Sequence, residues 1–484
     1  MKMRGRNVQC LGLVSGRGRF MLSPAIVGAR MRRCLALAAA GAMISALFIG
    51  TSYPANASSR ATTSAHALDT SEASVPIGIP VVGGLQAVSN ALGSDGVTEP
   101  SGQQAQTYIQ AIVDYANAHG GLLGHKIAPV YYSISSAGSA TAASVDQGAC
   151  VAWSQDHQVF AALAENLDSN TLISCLQAKH AITMDGAGFI PYDNVDLAKF
   201  PLYASAGSLS LTDVASVEVN GLFKEGYFGS GKTDSNTKIG LLAYDTAPYT
   251  RAINQVLKPA LARHGLKLTD EQEVAPVESE ADAIALQTPI TSAALRFKAE
   301  GINHVIFFET EGAIVYNWEA AETSESYFPR LGVTTNDSVG TKDSPSCSFC
   351  GSVVKSWSNA VGIGWSPTND LSTPTVNATA ALCNRIVEGA GASAADASQF
   401  WAYCDQLFVL AAAVKAGGQL TSKATLEGLS KIKNFTPAEL VGPVDYPNGS
   451  RTGAAYGRFM AWKLSCECMQ YTSPAFPLST LENG

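Results

Sequence analysis

Three stretches of the sequence hold residue types that could do chemistry. Residues 226–233, GYFGSGKT, match the phosphate-loop pattern G-x-x-x-x-G-K-[ST], in which backbone N–H groups and a helix N-terminus face the phosphates while Lys232 and Thr233 reach phosphate and Mg²⁺. CSFC at 347–350 and CEC at 466–468 place four thiols in two close pairs, which suits either a four-thiolate zinc site or disulfides. The seven histidines are scattered, no H-E-x-x-H occurs, and no G-x-S-x-G sits on a strand–turn–helix. Neither a zinc nor a serine hydrolase is indicated. The compartment, and the elements that carry these residues, decide which chemistry survives.

The first 57 residues contain eight Lys or Arg and no Asp or Glu, and end in the apolar run CLALAAAGAMISALFIG followed by YPANASS. This pattern predicts a signal peptide over 1–57, cleaved at Ala55-Asn56-Ala57, and hence a secreted or cell-envelope protein of periplasmic type. Cys34 precedes the apolar run, where a lipoprotein cysteine does not belong. Loss of the signal leaves 24 basic against 40 acidic residues, a formal charge of −16. Such a chain is a poor partner for nucleic acid or an anionic membrane. Eight cysteines remain: Cys150, Cys175, Cys347, Cys350, Cys383, Cys404, Cys466 and Cys468. An even number in an exported chain predicts disulfides rather than a metal. Cys150 with Cys175 and Cys383 with Cys404 are local pairings. A bridge inside CEC is expected to be strained, so links between the CSFC and CEC pairs compete with links within them.

Residues 58–74 are Ser, Thr and Ala with little to bury, a flexible leader. From Val75 onward short apolar runs alternate with helical patterns: PIGIPVV, GQQAQTYIQAIVDYANAH, KIAPVYYSI, ATAASVDQGACVAWSQD, VFAAL, NTLISCLQAK and AITMD. A second series follows from LTDVASVEVNGLFKEGYF through KIGLLAY, APYTRAINQVLKPALARHG, KLTDEQEVA, PITSAALRFKAEG, HVIFFE and GAIVYNWEAAETS to PRLGVTT. The alternation predicts an α/β fold with two doubly wound parallel sheets, right-handed crossovers and ligands at the carboxyl ends of the strands. It also answers the question raised by GYFGSGKT. That stretch follows a helix and leads into a strand, the reverse of a phosphate loop, so its glycines read as a helix stop and Lys232 is not expected to bind nucleotide.

YANAHGGLLGHKIAPVYY at 115–132 combines Asn117, the stop Gly120-Gly121, a tight turn at Gly124 and a basic residue leading into a strand. This resembles the N-x-x-G-G-I-x-G-[RK]-K-I stretch of type I periplasmic binding proteins, the branched-chain amino-acid receptor family of ABC importers. KIGLLAYDTAPYTRAINQVLKPALARHG, FWAYCDQLFVLAAAVKAGG and VGPVDYPNGSRTGAAYGRFMAWK are similar to the family's second-lobe opening, late helix and closing strands. The resemblance covers residues 76–464. It implies two lobes joined by three crossovers that close on a ligand by hinge motion, lobe 1 being 75–207 plus 362–442 and lobe 2 being 208–361 plus 443–484.

Carried over position by position, the resemblance selects Asn90, Asn166, Ser169, Ala187 and Gly188 in lobe 1. In lobe 2 it selects Tyr249, Glu311, and Thr335 or Asn336. The sequence departs from the amino-acid receptors in two places. Asn166 and Gly188 stand where they place hydroxyls for the ligand carboxylate, and Thr334 or Thr335 where they place an acid for the amine. Glu309 and Glu311 instead bring negative charge from a different strand. The resemblance thus implies a non-enzymatic, monomeric receptor without cofactor, which hands a small polar or amphipathic solute, an amino acid or related compound, to the membrane permease of an ABC importer. An extracellular ligand-sensing domain is the rival reading, and a secreted hydrolase a more remote one.

Overall fold

The computed structural model describes residues 74–83, 100–135, 142–165, 167, 169–186, 190–229, 236–277, 282, 285–310, 312–337, 353–370 and 375–481. The signal stretch, Asn90, Asn166, Ala187, Gly188, Lys232, Glu311, Cys347 and Cys350 lie outside them.

The first series folds as β1 (Val75–Gly83), α1 (Gly102–Ala118), β2 (Ile127–Ser135), α2 (Ala142–Val151), β3 (Ala161–Leu163), α3 (Asn170–Ala178), β4 (Ile182–Asp185), α4 (Asn194–Lys199) and β5 (Tyr203–Ser205). These five strands make a parallel sheet in the order β2-β1-β3-β4-β5. The order reverses between β1 and β3, and at such a switch point the two connecting loops diverge and leave a crevice. The signature stretch after α1 has a plain physical role. Asn117 Nδ2 donates to the Ile127 carbonyl at 3.1 Å and its Oδ1 accepts from the Ile127 amide at 2.7 Å, so one side chain staples the helix end to the next strand. Gly120, Gly121 and Gly124 between them have φ of 104°, 51° and 90°, and a Cβ on Gly121 would lie 2.1 Å from the His125 carbonyl oxygen. Only glycine fits that turn.

The second series contains α5 (Leu211–Lys224), β6 (Ile239–Tyr244), α6 (Ala247–Ala252), α7 (Lys258–Arg263), β7 (Leu268–Val274), α8 (Gln287–Glu300), β8 (His304–Phe308), α9 (Ala313–Glu325), β9 (Arg330–Thr334), α10 (Val353–Trp357) and β10 (Val361–Gly364). GYFGSGKT begins in the turn after α5, ahead of β6, so a helix precedes it and a strand follows it. The sequence predicts one unbroken helix over APYTRAINQVLKPALARHG. Instead, a widened turn at Ile253–Leu257 separates α6 from α7, directly ahead of Pro259. Proline lacks the N–H that an α-helical turn needs and crowds the carbonyl four residues back.

The chain then returns to the first sheet through α11 (Ala378–Gly389), α12 (Ala394–Ala397), α13 (Trp401–Gly417) and α14 (Ser422–Leu429). Tyr403 on α13 donates from its hydroxyl to the Pro80 carbonyl of β1 at 3.1 Å, and Tyr108 of α1 packs edge-on against Phe400. Finally β11 (Tyr456–Lys463), β12 (Cys468–Tyr471) and β13 (Phe476–Pro477) add antiparallel strands to the second sheet. Its order is β12-β11-β10-β9-β8-β6-β7, with β13 on β11. β10 pairs with β9 and β11, so the passage back toward the first sheet comes after Gly364. β6 and β8 sit next to each other although β7 separates them in sequence, which makes the β6/β8 boundary the switch point of this sheet. Every residue of β6 is buried, as expected for a central parallel strand covered on both faces.

Three disulfides are present among the described residues. Cys150–Cys175 and Cys383–Cys404 agree with the local pairings expected from sequence. Cys466–Cys468 closes within CEC rather than across to CSFC. The strain argument is met by the backbone, because Glu467 between the two cysteines adopts φ 49° and the Cα atoms lie 5.2 Å apart, inside the range a disulfide spans.

Candidate ligand-binding site

The loops at the carboxyl ends of the two sheets meet. Arg251, on α6 after β6, reaches the α4 region after β4 of the other sheet. Its Nε lies 2.5 Å from Asp193 Oδ2, and its Nη2 is 3.0 Å from Asp193 Oδ1 and 2.6 Å from Asp196 Oδ2. Asp193 also caps α4 by accepting from the Asp196 amide at 2.9 Å. Burial by itself pushes the Asp193 carboxyl up, but the hydrogen bonds from Arg251 and the Asp196 amide outweigh it and hold the group below its ordinary value. A forked guanidinium on two carboxylates is among the stronger charge-assisted contacts. Replacing Arg251 by Gln is expected to lower unfolding free energy by about 2 kcal/mol, because nearly buried Asp193 loses its counter-charge. Denaturant titration of the variant checks this, and an unchanged midpoint would show that the tie contributes nothing.

On the first-sheet side, β3 runs straight into Ala164 and Glu165. Glu165 Oε2 accepts from Gln406 Nε2 of α13 at 2.7 Å. Gln406 is fully buried and its Oε1 has no partner. Gly186, directly after β4, makes room for this pair: a Cβ there would lie 2.8 Å from Glu165 Oε2 and 3.4 Å from Gln406 Nε2. Asp185 at the end of β4 accepts from the Gly186 amide and the Tyr203 hydroxyl. Burial pushes its carboxyl up to about 7 against those two bonds. Ser205 and Ser208 both donate to the Gly186 carbonyl, at 2.6 and 3.3 Å. Ser169 begins α3, where its Oγ accepts from the Leu172 amide at 3.4 Å while its own amide donates to Asp146. Its hydroxyl is engaged as a helix cap.

On the second-sheet side, Tyr249 stands in the first turn of α6, 2% exposed. Its hydroxyl is 3.0 Å from Thr310 Oγ1, just past β8, and its ring meets Tyr244 and Phe308 edge-on. Tyr249 and the end of β8 are therefore brought together at the β6/β8 switch point. Glu309 does something other than expected. Its two oxygens accept from the Ile314 and Val315 amides at 2.8 Å each, at the positive N-terminus of α9. That carboxylate caps a helix rather than offering free charge to a ligand.

Thr335 and Asn336 follow β9 and part company in role. Thr335 Oγ1 donates to Asn369 Oδ1 at 2.7 Å and accepts from the Trp365 amide at 2.8 Å, so it ties β9 to the segment after β10. Asn336 is 2% exposed, and neither polar atom of its amide group has a partner. Its neighbour Asp337 accepts from the Thr334 amide at 2.6 Å through Oδ2 while Oδ1 is unpartnered. Glu218 on α5 lies within electrostatic reach of Asp337, completely buried, with both oxygens unpartnered. Burial, and then the charge of Asp337, push Glu218 well above the usual carboxylate range. Burial also drives Asp337 up to about 8 against the Thr334 hydrogen bonds. Buried polar atoms without partners are uncommon and costly, which makes Gln406, Asn336, Asp337 and Glu218 the polar groups at the strand ends most open to an added partner.

The sequence reading selected strand-end loops and did not select Glu165, Asp185, Gln406, Glu218 or Asp337. Glu165 and Asp185 carried a signal, standing at the ends of VFAAL and AITMD. Gln406 and Glu218 carried none, since each sits mid-helix and reaches the strand ends only through packing. An open groove of about 510 Å³ is lined by Pro201, Leu426, Glu427, Ser430, Lys431, Gly449 and Arg451, and the Arg451 carbonyl accepts from the Ser205 amide at 2.8 Å. Among the described residues no group of His, Cys, Asp and Glu is arranged to hold a metal ion, and no helix is long and apolar enough to cross a membrane.

No protein-family model and no curated protein sequence matches the chain. Solved structures do match. A solute-binding protein of an ABC transporter from R. palustris, in complex with 4-hydroxybenzoate, superposes with a TM-score of 0.57 at 14% identity over 84% of this chain and 97% of its own. A branched-chain amino-acid ABC transporter protein from Thermus thermophilus with bound valine gives 0.53 at 14% identity, over 85% and 100%. A fatty acid ABC transporter substrate-binding protein from Thermomonospora curvata gives 0.56 at 12%, over 85% and 94%. Two parallel-stranded sheets flanked by helices, superposing on such proteins over nearly their whole length, give this chain the type I periplasmic binding protein fold.

Proposed function

We propose that the protein is an exported solute-binding receptor of an ABC importer, which captures a small polar or amphipathic solute between two lobes and performs no chemistry on it. The reading is carried by one observation. The carboxyl-end loops of both sheets meet through Arg251, Asp193 and Asp196, and Gln406, Asn336, Asp337 and Glu218 keep buried, unpartnered polar atoms. With Asp337 and Glu218 holding their protons, these offer the Asn336 amide and carboxyl O–H groups as donors and the Gln406 and Asn336 oxygens as acceptors, so the matching solute presents both hydrogen-bond acceptors and donors. The similar structures include complexes with 4-hydroxybenzoate and with valine and a fatty acid ABC transporter substrate-binding protein, which supports the class of role and leaves the ligand to be chosen by this chain's own residues. The lobes follow the boundaries inferred from sequence except at residues 362–364, which pair within the second sheet, with Asn90, Asn166, Ala187, Gly188 and Glu311 as further contacts. The receptor acts as a monomer alongside a membrane permease.

A thermal-shift screen of amino acids, polyamines, polyols and small aromatics tests this. A ligand at a hundred times its Kd stabilises the folded state by about 2.7 kcal/mol, a readily seen shift. Asn336→Ala and Tyr249→Phe are then expected to weaken the hit roughly 10-fold each, consistent with loss of about 1.4 kcal/mol of hydrogen bonding. Phe at 249 keeps the ring packing and removes only the hydroxyl. If no compound class stabilises the protein, the receptor reading fails; if a hit binds both variants as tightly as the parent, the site is elsewhere.

A further inference from the structure

The three described disulfides differ in what they accomplish. Cys150–Cys175 links α2 to α3 across 25 residues and Cys383–Cys404 links α11 to α13 across 21. Cys150, Cys383 and Cys404 are buried. Cys466–Cys468 spans a single residue in the turn between β11 and β12. That turn is already closed by strand pairing, since Lys463 faces Cys468, Trp462 faces Met469 and Met460 faces Tyr471. A covalent link across so short a loop restricts the unfolded chain very little. Structure alone therefore gives this bridge almost nothing to do.

Its surroundings suit a different task. Cys466 lies on the exposed tip with Leu464, Ser465 and Glu467, while Cys468 is 5% exposed at the start of β12. Leu464, at 68% exposure, adds an apolar contact beside the exposed sulfur. Glu467, held at φ 49°, occupies the left-handed region that a non-glycine residue enters only at a cost, and opening the bridge frees it to relax. Exposed or strained disulfides are the ones that exchange.

We propose that Cys466–Cys468 is a thiol-exchange site, an accessible disulfide that takes two electrons from thiol reductants while the other described bridges stay closed. A thiolate attacks Sγ of Cys466 from the solvent side. The S–S bond breaks, its electron pair leaves on Sγ of Cys468, and that sulfur takes a proton. A second thiolate then attacks the mixed disulfide at the reductant's sulfur and releases Cys466 as a thiolate. In sum two thiols become one disulfide and the protein bridge becomes two thiols. The buried Cys468 acts as the resolving sulfur that can close the ring again.

The full-length mature protein is equilibrated with graded glutathione and dithiothreitol, alkylated, and mapped cysteine by cysteine by mass spectrometry. Cys466 and Cys468 are expected to be labelled at reductant concentrations at least 10-fold below those that open Cys150–Cys175 or Cys383–Cys404, with no change in the melting temperature. Two single variants locate the attacked sulfur. Cys468→Ser leaves Cys466 exposed and is expected to take up one glutathione from oxidised glutathione, whereas Cys466→Ser leaves Cys468 buried and takes up none. Labelling of Cys466 and Cys468 together with or after the other pairs overturns the proposal. Equal glutathionylation of the two variants, or none of either, overturns it as well.

Discussion

Raising the pH from 5.5 to 8.5 is expected to destabilise the protein by several kcal/mol. The cause is a set of carboxyls that folding removes from water. Burial lifts Asp337 up to about 8 and Asp185 up to about 7. Burial, opposed by Ser356 and reinforced by the charge of Glu319, lifts Glu322 up to about 8. Glu218 and Asp405 are driven well above the ordinary range by burial, with Asp337 and Glu439 respectively adding to it. In the unfolded chain all of these release their protons near pH 4. Between that value and the folded one the native state keeps protons that the unfolded state has lost, so stability falls as pH rises, by about 1.4 kcal/mol per pH unit for each such group. Asp337 alone spans about four units, on the order of 5 kcal/mol. Asp193 works in the opposite sense. Held below its usual value, it contributes stability that is lost only as pH falls through the acidic range, so the optimum is mildly acidic. Asp337→Asn keeps an acceptor for the Thr334 amide and removes the titration. Its unfolding free energy, from denaturant titrations at pH 5.5, 7.0 and 8.5, is expected to decline less steeply than that of the parent by roughly one such slope. Curves that run parallel would show that Asp337 does not hold its proton in the folded state.

The second large effect is expected at Cys383–Cys404. The bridge joins two helices that cover the first sheet, across 21 residues. Chain-entropy arguments put its contribution at about 3 kcal/mol, and both cysteines are fully buried, so replacing the pair by alanine also loses packing. The double variant Cys383→Ala/Cys404→Ala should unfold at markedly lower denaturant, whereas Cys466→Ala/Cys468→Ala should shift by no more than about 1.5 kcal/mol. A smaller loss for the first pair than for the second would contradict the view that the long bridge, and not the short one, is structural.

Much of the architecture could be read from local pattern. The runs KIGLLAY and HVIFFE became the adjacent central strands β6 and β8, and the helical stretches between them became crossovers. The elements missed were those with little local pattern. YAS at β5 is three residues long and CMQY at β12 is four; each is a strand because a neighbour supplies hydrogen bonds along its edge. Within the candidate site, Ser169, Tyr249, Thr335 and Asn336 could be assigned to strand-end loops because a strand followed by a helix must turn there.

What the sequence by itself determined was the order of strands and helices, the glycine stop and turn at Gly120, Gly121 and Gly124, and the helix-before, strand-after context that sets GYFGSGKT apart from a phosphate loop. These follow from apolar periodicity, glycine conformations and short-range hydrogen bonds, all of which act over a few residues. Tertiary structure alone decided which polar side chains are already engaged. Glu309 is taken by two amides of α9 and Thr335 by Asn369 and Trp365, while Asn336, Gln406 and Glu218 keep unpartnered atoms. Whether a donor or acceptor is satisfied depends on groups that packing brings from distant parts of the chain, as when Gln406 meets Glu165 across 241 residues, and no local pattern encodes that meeting.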